Sequence, residues 1–188
     1  QGKELSHNIE LAVGLFTCNN KKFLRLWYEV NYKDIGMSMG KQEALNSNKT
    51  WFPYNKGGEF RKWFGNNQFV VYFKNNGEEV RKYRAESGQS SSLPGEKFYF
   101  QESITWSFVS SSFFGVRKSD IGFIFDVGGS SAFPNVEWID FYTAFLCTKL
   151  VFELMKAMNP TMNFQVGNVA SIPINEEEFI TTKSSVDV

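Results

Sequence analysis

Two β-type apolar runs, each followed by a cluster of small polar residues, lie between positions 104 and 133. Residues 104–106 lead into serines at 107 and 110–112, and residues 122–127 lead into a Gly-Gly-Ser-Ser segment. Strands that end in short polar loops are how a rigid scaffold presents hydrogen-bonding groups to a ligand. The plainer interpretation is a hairpin with serine-rich turns, and the pattern alone favours the hairpin.

Alternating positions predict further strands in the first half of the chain. Residues 9–16 form an apolar run that leads into a turn at 17–20. Residues 21–32 then alternate, with leucine, tyrosine and valine on one fully apolar face, which is typical of a strand. Residues 68–74 form another strand that ends at an Asn-Asn-Gly turn, and residues 78–86 form a short charged helix.

A single long helix is predicted over residues 136–158. Its apolar residues occur nearly all round, which is typical of a mostly buried helix, and Asn159 and Pro160 end it. Residues 171–174 form a short edge strand. From Asn175 onward the chain is acidic and lacks core residues, so we place one domain at 3–174 and treat 175–188 as an acidic tail or the start of a further C-terminal segment.

Length and composition agree with one well-cored domain. The chain has 188 residues, of which 42% are hydrophobic and 17% aromatic, so a substantial core can form. No apolar run approaches the roughly 20 residues that span a bilayer. The start of the chain lacks a signal-peptide pattern. We therefore expect a cytoplasmic protein with no membrane partner.

Charge is balanced overall but unevenly placed. The net charge is zero, yet residues 1–100 hold fifteen Lys and Arg against ten Asp and Glu, whereas residues 101–188 hold five against ten. This asymmetry permits one basic face. Cys18 and Cys147 have no metal-ligand spacing, and His7 is the only histidine, so a catalytic triad or a histidine-based metal site is not expected.

Motifs for catalysis are absent from the sequence. It has no phosphate-binding G-x-x-x-x-G-K loop, no G-x-G-x-x-G and no H-E-x-x-H. Residues 159–164 approach the N-P-P-Y/F motif of amino-methyltransferases, but the second proline and the adjoining aromatic are replaced. We interpret Asp126 as a turn acceptor after its strand. The sequence therefore predicts no catalytic residue, no metal and no cofactor in this chain.

Amide, cationic and aromatic side chains are interleaved in two regions of the N-terminal half. Around the turn at 17–20 they suit phosphates and base edges, although an ordinary solvated hairpin is the more frequent case. In residues 49–64, cations alternate with aromatics, which is a pattern that binds nucleic acid backbones and stacks on exposed bases. More often such aromatics are core residues with the cations pointing outward.

Four blocks together resemble one family: residues 13–30 (V-G-L-F-T-C-N-N-K-K-F-L-R-L-W-Y-E-V), 49–67, 104–133 and 159–174 (N-P-T-M-N-F-Q-V-G-N-V-A-S-I-P-I). The chain is similar to the target-recognition region in the C-terminal half of PglX-type adenine-specific DNA methyltransferases of BREX phage-defence systems. It also resembles the related single-chain type II restriction-modification enzymes. The family usually has Gly where Cys18 stands. The end of the chain resembles the recognition domains of type I specificity subunits.

The resemblance implies an α+β fold, with a curled, mostly antiparallel sheet, flanking helices and loops presented to the major groove. It implies a non-catalytic module that recognises a double-stranded DNA sequence for an N6-adenine methyltransferase. S-adenosylmethionine would bind in a catalytic module outside this chain. The implied partners are duplex DNA, the N-terminal methyltransferase module of the same polypeptide and other defence-system proteins.

The resemblance also implies roles for individual residues. The DNA backbone would be contacted by Lys21, Lys22, Arg25, Lys56, Arg61 and Lys62. Bases would be read by Ser107, Ser110, Arg117, Ser130, Asn163 and Gln165. Further DNA contacts would come from Asn19, Asn20 and Asn55. Two alternatives remain: a protein-interaction module that docks the catalytic half or a defence partner, and a single-stranded nucleic acid binder that stacks bases on Trp51, Tyr54 and Trp63.

Overall fold

Two four-stranded sheets, each with its own hydrophobic core, organise the computed structural model of this protein. The structure describes residues 3–109, 113–161 and 163–175. The strands of this described part are β1 Lys3–Glu4, β2 Glu10–Ala12, β3 Leu24–Leu26, β4 Trp51–Asn55, β5 Phe69–Tyr72, β6 Ser103–Trp106, β7 Val116–Ser119, β8 Ile124–Phe125, β9 Ser131–Phe133 and β10 Pro173–Ile174. Its helices are α1 Asn20–Phe23, α2 Lys41–Asn46, α3 Lys74–Glu86, α4 Ile139–Leu146, α5 Lys149–Met158 and α6 Val166–Ala170.

The described strands pair antiparallel, except that β4 and β8 pair in parallel. The first sheet has the order β2-β9-β6-β7, and the second has the order β3-β5-β4-β8, in which β4 and β8 run parallel. β1 and β10 form a separate antiparallel ribbon, which confirms the short strand expected near the end of the domain. The α+β class and the mostly antiparallel pairing are confirmed, and the described strands form no closed barrel.

The hairpin expected within residues 104–133 is wrong in its pairing. β6 pairs with β7 and β9, while β8 leaves for the second sheet and pairs with β4. The sequence did not indicate β7, because Val-Arg-Lys-Ser lacks alternation, yet three of its four residues are buried between neighbouring elements. Within this stretch the chain therefore turns back from β6 to β7 in the first sheet, crosses to the second sheet at β8 and returns to the first sheet at β9.

The long strand expected over residues 21–32 is also wrong. Asn19 caps the short helix α1 by accepting a hydrogen bond from the Lys22 N–H at 3.0 Å, so a helical turn replaces the start of the strand. The Glu29 carboxylate then accepts from the Leu26 N–H at 2.7 Å and folds the next residues into a 3-10 turn. Two side-chain caps thus limit β3 to three residues.

Two helices replace the single helix expected over residues 136–158. α4 ends at Leu146, and Thr148 begins α5 by accepting a hydrogen bond from the Val151 N–H at 3.3 Å. In α5 only Val151 and Met155 are buried, and Leu150 is 64% exposed. This helix is amphipathic with one face in solvent, so the prediction of an apolar circumference facing the core does not hold.

The buried apolar residues form two hydrophobic cores. One core packs Trp106, Leu146 and Phe164 between the first sheet and helices α4 to α6. The other packs aromatics from the second sheet and from residues 93–100. β5 is as predicted, and the predicted charged helix is the part of α3 that follows residues 75–77. These three residues are the Asn-Asn-Gly turn, and their positive φ angles interrupt α3. No helix among the described residues is long and apolar enough to span a membrane.

Candidate nucleic-acid interface

A tight turn before α1 presents the first group of predicted DNA-binding residues. Cys18 adopts a left-handed φ of 63°, the conformation for which the resembled family uses glycine. The Thr17 hydroxyl donates to Asn20 Oδ1 at 2.9 Å, and Asn19 donates from Nδ2 to the Tyr83 hydroxyl at 3.0 Å. Both asparagines are therefore engaged in holding a turn in which Cys18 has a positive φ.

The two lysines that follow the turn differ in whether their charge is already paired with an acid. The Lys22 ammonium pairs with the Glu79 carboxylate at 2.7 Å and lies 5.2 Å from the Tyr83 ring centre. The hydrogen bond with Glu79 raises the pKa of Lys22 and lowers the pKa of Glu79. Lys21 is exposed. Of these two adjacent lysines, Lys21 is the one whose charge is open to a ligand.

Arg25, Trp51 and Tyr72 form an outer face on the second sheet. The Arg25 guanidinium lies 5.8 Å from the Trp51 ring centre, and Trp51 meets Tyr72 edge-on at 5.5 Å. Strand register places all three on the side of the sheet opposite Phe52 and Val71, which belong to the core. The outer face is half-exposed and therefore presents a cation stacked on rings.

Exposed aromatics follow β3 on 3-10 turns. Trp27, Tyr28 and Tyr32 are 51%, 64% and 67% exposed. The alternating pattern predicted Tyr28 on the apolar face of a strand and did not indicate that these rings are exposed. The turn that exposes Trp27 and Tyr28 depends on the capping bond of Glu29, which periodicity does not reveal. Of the three rings assigned to base stacking, Trp51 is half-buried and Trp63 is 55% exposed. Tyr54 is fully buried, which rules out the stacking role assigned to it.

Asp126 follows β8, where the chain leaves the second sheet for β9 of the first, at a junction formed by the β4–β8 pairing and the loops at 56–57 and 128–129. Its carboxylate accepts from the Tyr54 hydroxyl at 2.7 Å, from the Lys56 ammonium at 2.8 Å and from the Gly128 N–H at 2.7 Å. The last bond confirms Asp126 as a turn acceptor. A Cβ on Gly57 would come 2.3 Å from the Gly128 carbonyl oxygen, so the two loops touch through their backbones.

Four of the predicted DNA-binding residues are buried at or beside this junction. Asn55 donates to the Ser119 hydroxyl at 2.8 Å, and the Ser130 hydroxyl donates to the Val127 carbonyl at 3.2 Å. Arg117 and Ser107 lie 3.5 Å apart between side-chain atoms, and both are at least 94% buried. All four side chains are buried with their polar atoms against protein, and their assignment to DNA contacts stays a prediction.

Arg117 is an unusual member of this buried group. Burial lowers the pKa of its guanidinium to about 10. Its Nε has no hydrogen-bond partner among the described residues, and no described carboxylate forms an ion pair with it. A buried cation without a counter-charge costs stability, and none of the described acids supplies one to Arg117.

The remaining predicted residues lie in several places. Gln165 is exposed and lines a shallow pocket of about 240 Å³ together with Ser130 and Phe108. Asn163 is half-exposed and donates to the Thr161 hydroxyl at 3.3 Å. The segment that contains Arg61 and Lys62 runs beside β7, where Arg61 is exposed and the Lys62 ammonium donates to the Cys147 carbonyl. Ser110 lies outside the described residues.

Two observations on the described residues concern metals and nucleotide cofactors. No group of three or more His, Cys, Asp or Glu side chains among them is arranged to hold a metal ion. A groove of about 750 Å³ lies along the edge strand β2, and Lys97 and Glu10, which line it, form an ion pair. It lacks the glycine-rich turn between a strand and a helix that holds nucleotide cofactors. We derive no chemical step through such a group in this chain.

Two curated relatives match most of the chain. Adenine-specific methyltransferase PglX of Lacticaseibacillus casei (strain Zhang) is 39% identical over 177 residues, which are 92% of this chain and 15% of the relative. Adenine-specific methyltransferase BrxX of Escherichia coli O9:H4 (strain HS) is 37% identical over 155 residues, which are 81% of this chain and 12% of the relative. No protein-family model matches the chain.

The chain is therefore homologous to a small part of these two adenine-specific methyltransferases. It spans 12% to 15% of their length, so it corresponds to a partial region of proteins of that kind. The resemblance drawn from the four sequence blocks is confirmed at this level.

Proposed function

We propose that this chain is the module that recognises a double-stranded DNA sequence for an adenine-specific (N6) DNA methyltransferase of BREX phage defence or restriction-modification, and is itself non-catalytic. The observation that carries the proposal is the homology of 92% of the chain to one part of an adenine-specific methyltransferase. A domain without catalytic motifs inside a DNA-modifying enzyme has target selection as its natural role. In this proposal the module spans residues 3–174, with a curled arrangement of sheets like other recognition domains.

The exposed cations supply the backbone contacts in this proposal. Lys21 and Arg61 are exposed and Arg25 is half-exposed, and each can neutralise a phosphate and release a counterion. Arg25 Nη1 donates to the Lys21 and Leu24 carbonyls at 2.7 and 2.6 Å, so a phosphate would bind its remaining guanidinium N–H groups. Lys22, Lys56 and Lys62 already bind Glu79, Asp126 and the Cys147 carbonyl, so they hold elements in place and add less to DNA affinity.

In this proposal the bases are read by polar side chains that are accessible from solvent. Asn163 and Gln165 follow α5 in one loop, and an amide that forms two hydrogen bonds with adenine gives about 1–3 kcal/mol of discrimination. The buried residues Asn55, Ser107, Arg117 and Ser130 serve to position the loops that carry the readers.

Partners outside the chain complete the proposed activity. The methyltransferase module of the same polypeptide would bind S-adenosylmethionine and extrude the target adenine from the duplex. Other defence-system proteins are further partners, and the cytoplasm is the location where the protein meets DNA.

A second candidate function is the docking of a protein partner. Phe60 and Phe113 are exposed with ring centres 5.6 Å apart, and Phe113 lies 5.0 Å from Phe152. Trp63 and Phe64, on the same segment as Phe60, are also more than half exposed. An exposed group of large apolar side chains is typical of an interaction surface.

Binding of a random duplex pool at low and moderate salt separates the two functions. The DNA-recognition proposal expects duplex binding that weakens steeply with salt. It fails if neither the chain nor its fusion to the catalytic half binds duplex DNA. A stable complex with the catalytic half without DNA supports docking, whereas a preference for single strands supports the stacking alternative.

A further inference from the structure

Two large rings are held outward on a 3-10 turn that the proposed function leaves without a role. Trp27 and Tyr28 pack edge-on with ring centres 5.7 Å apart, and both are more than half exposed. Their 3-10 turn is fixed at both sides, because the Glu29 carboxylate accepts from the Leu26 N–H and the Trp27 N–H donates to the Gln68 carbonyl at 2.9 Å. The fixed backbone limits the ordering cost of binding a ligand.

The segment of chain that carries these rings is cationic. Residues 21–34 contain four Lys and Arg residues and two acids, Glu29 and Asp34. Lys49 adds a fifth cation, since its ammonium donates to the Lys33 carbonyl at 2.6 Å. Lys22 is balanced by Glu79, and Glu29 is engaged in its capping bond. The segment therefore keeps a positive charge, which complements an anionic ligand.

The combination of rings and cations discriminates between ligand classes. Protein interfaces are depleted in lysine, whereas grooves that bind nucleic acid combine cations for the backbone with rings on which bases stack. Stacking requires a base whose face is free, and a paired base inside a duplex has none. A base loses its neighbours when a recognition enzyme unstacks a position.

We propose that Trp27 and Tyr28 form a stacking site for an unpaired nucleobase in a distorted duplex, with Lys21 and Arg25 on the adjoining phosphates. This inference rests on the proposed DNA-binding function. The site takes the base by its face, so it does not depend on base identity. It is separate from the base-reading loop at Asn163 and Gln165.

A duplex with one 2-aminopurine opposite an abasic position tests the site, in comparison with the fully paired duplex of the same sequence. The parent chain is expected to bind the duplex with the orphan base about tenfold more tightly and to quench its emission. Trp27→Ala removes the preference and most of the quenching, while affinity for the paired duplex stays within about twofold. Trp27→Phe retains a ring and keeps a preference.

Leu150→Ala is the control, because Leu150 is 64% exposed on α5 and has no binding role in either proposed function. The inference is overturned if Trp27→Ala and Tyr28→Ala, shown to be folded by circular dichroism, keep the full preference. It is also overturned if these variants lose a complex with the catalytic half while DNA binding is unchanged. If the parent binds neither duplex, the proposed function itself fails, and that outcome is distinct from the first two.

Discussion

The Tyr54 hydroxyl donates a hydrogen bond to Asp126 Oδ2 at 2.7 Å, and both residues are buried where β4 and β8 pair in parallel. The same carboxylate holds Lys56 and the Gly128 N–H. One acid therefore fixes the crossing of the chain between the two sheets, and the loops that surround the predicted readers depend on it.

Removing this acid should be among the most destabilising single changes. Asp126→Ala leaves the Lys56 ammonium and the Gly128 N–H without their carboxylate, and the Tyr54 hydroxyl keeps only the Leu15 carbonyl at 3.0 Å. We expect a loss of about 3–5 kcal/mol in the free energy of unfolding. Tyr54→Phe should cost about 2 kcal/mol. Urea titration measures both, and the double variant should cost less than the sum, because the two residues share one interaction.

Asp120→Ala is the control for this series, since Asp120 is exposed. Its effect should stay within about 0.5 kcal/mol. Equal effects of Asp126→Ala and Asp120→Ala would contradict the role given to the junction.

Stability should fall at alkaline pH through Tyr54. Burial, reinforced by the charge of Asp126, raises the pKa of Tyr54 well above its ordinary value of 10.0. The folded chain therefore holds the phenol proton to higher pH than the unfolded chain does. This contribution to stability is full below about pH 10 and is lost as the pH rises toward the folded pKa.

Urea midpoints at pH 8, 10 and 11 test this dependence. The parent should decline above pH 10, and Tyr54→Phe should decline less steeply. Tyr99, whose pKa burial also raises, accounts for a remaining slope in the variant. Parallel declines of parent and variant would show that Tyr54 does not carry the effect.

The turn at Cys18 predicts opposite effects for two substitutions. A left-handed conformation costs a residue with a Cβ about 1–2 kcal/mol, and glycine avoids this cost but loses about 0.5–1 kcal/mol of backbone entropy on folding. Cys18→Gly should therefore raise the free energy of unfolding by about 0.5 kcal/mol, and Cys18→Val should lower it by about 1–2 kcal/mol. Thermal unfolding of the three proteins decides, and a lower Tm for Cys18→Gly than for Cys18→Val would contradict the φ of 63°.

Substitution of Arg117 distinguishes a structural role of this residue from a role in reading DNA bases. Because its guanidinium is buried without a described counter-charge, Arg117→Met should stabilise the chain by about 1–4 kcal/mol in urea. Affinity for duplex DNA should not change, since the side chain does not reach the surface. A folded Arg117→Met variant that loses sequence preference would restore the base-reading role that the sequence suggested for Arg117.

The sequence predicted elements whose signals are local. β5, the turn after it and the charged helix follow from a short apolar run, an Asn-Asn-Gly segment and acids at a helix start. The sequence did not predict the elements whose boundaries are set by a single capping hydrogen bond from a side chain. Thr148 divides one apolar stretch into α4 and α5, and Glu29 ends β3 after three residues. Periodicity averages over ten or more residues, so one capping bond is invisible to it.

The candidate site was less predictable than the fold, because charged side chains find partners far away in sequence. Lys22 meets Glu79 across 57 positions, and the Lys62 ammonium meets the Cys147 carbonyl across 85. Composition gives the charge of a segment but does not show which charges are already paired. The same limit hid the burial of Arg117, whose neighbours come from separate strands.

The salt dependence of duplex binding tests the central claim most directly. The logarithm of the binding constant should fall linearly with the logarithm of salt concentration, and the paired variant Lys21→Gln with Arg25→Gln should reduce that slope by about 2, one unit for each lost phosphate contact. Lys156→Gln, an exposed lysine at the end of α5, should leave the slope unchanged. A slope that is the same in all three proteins would contradict the proposal that this surface binds DNA.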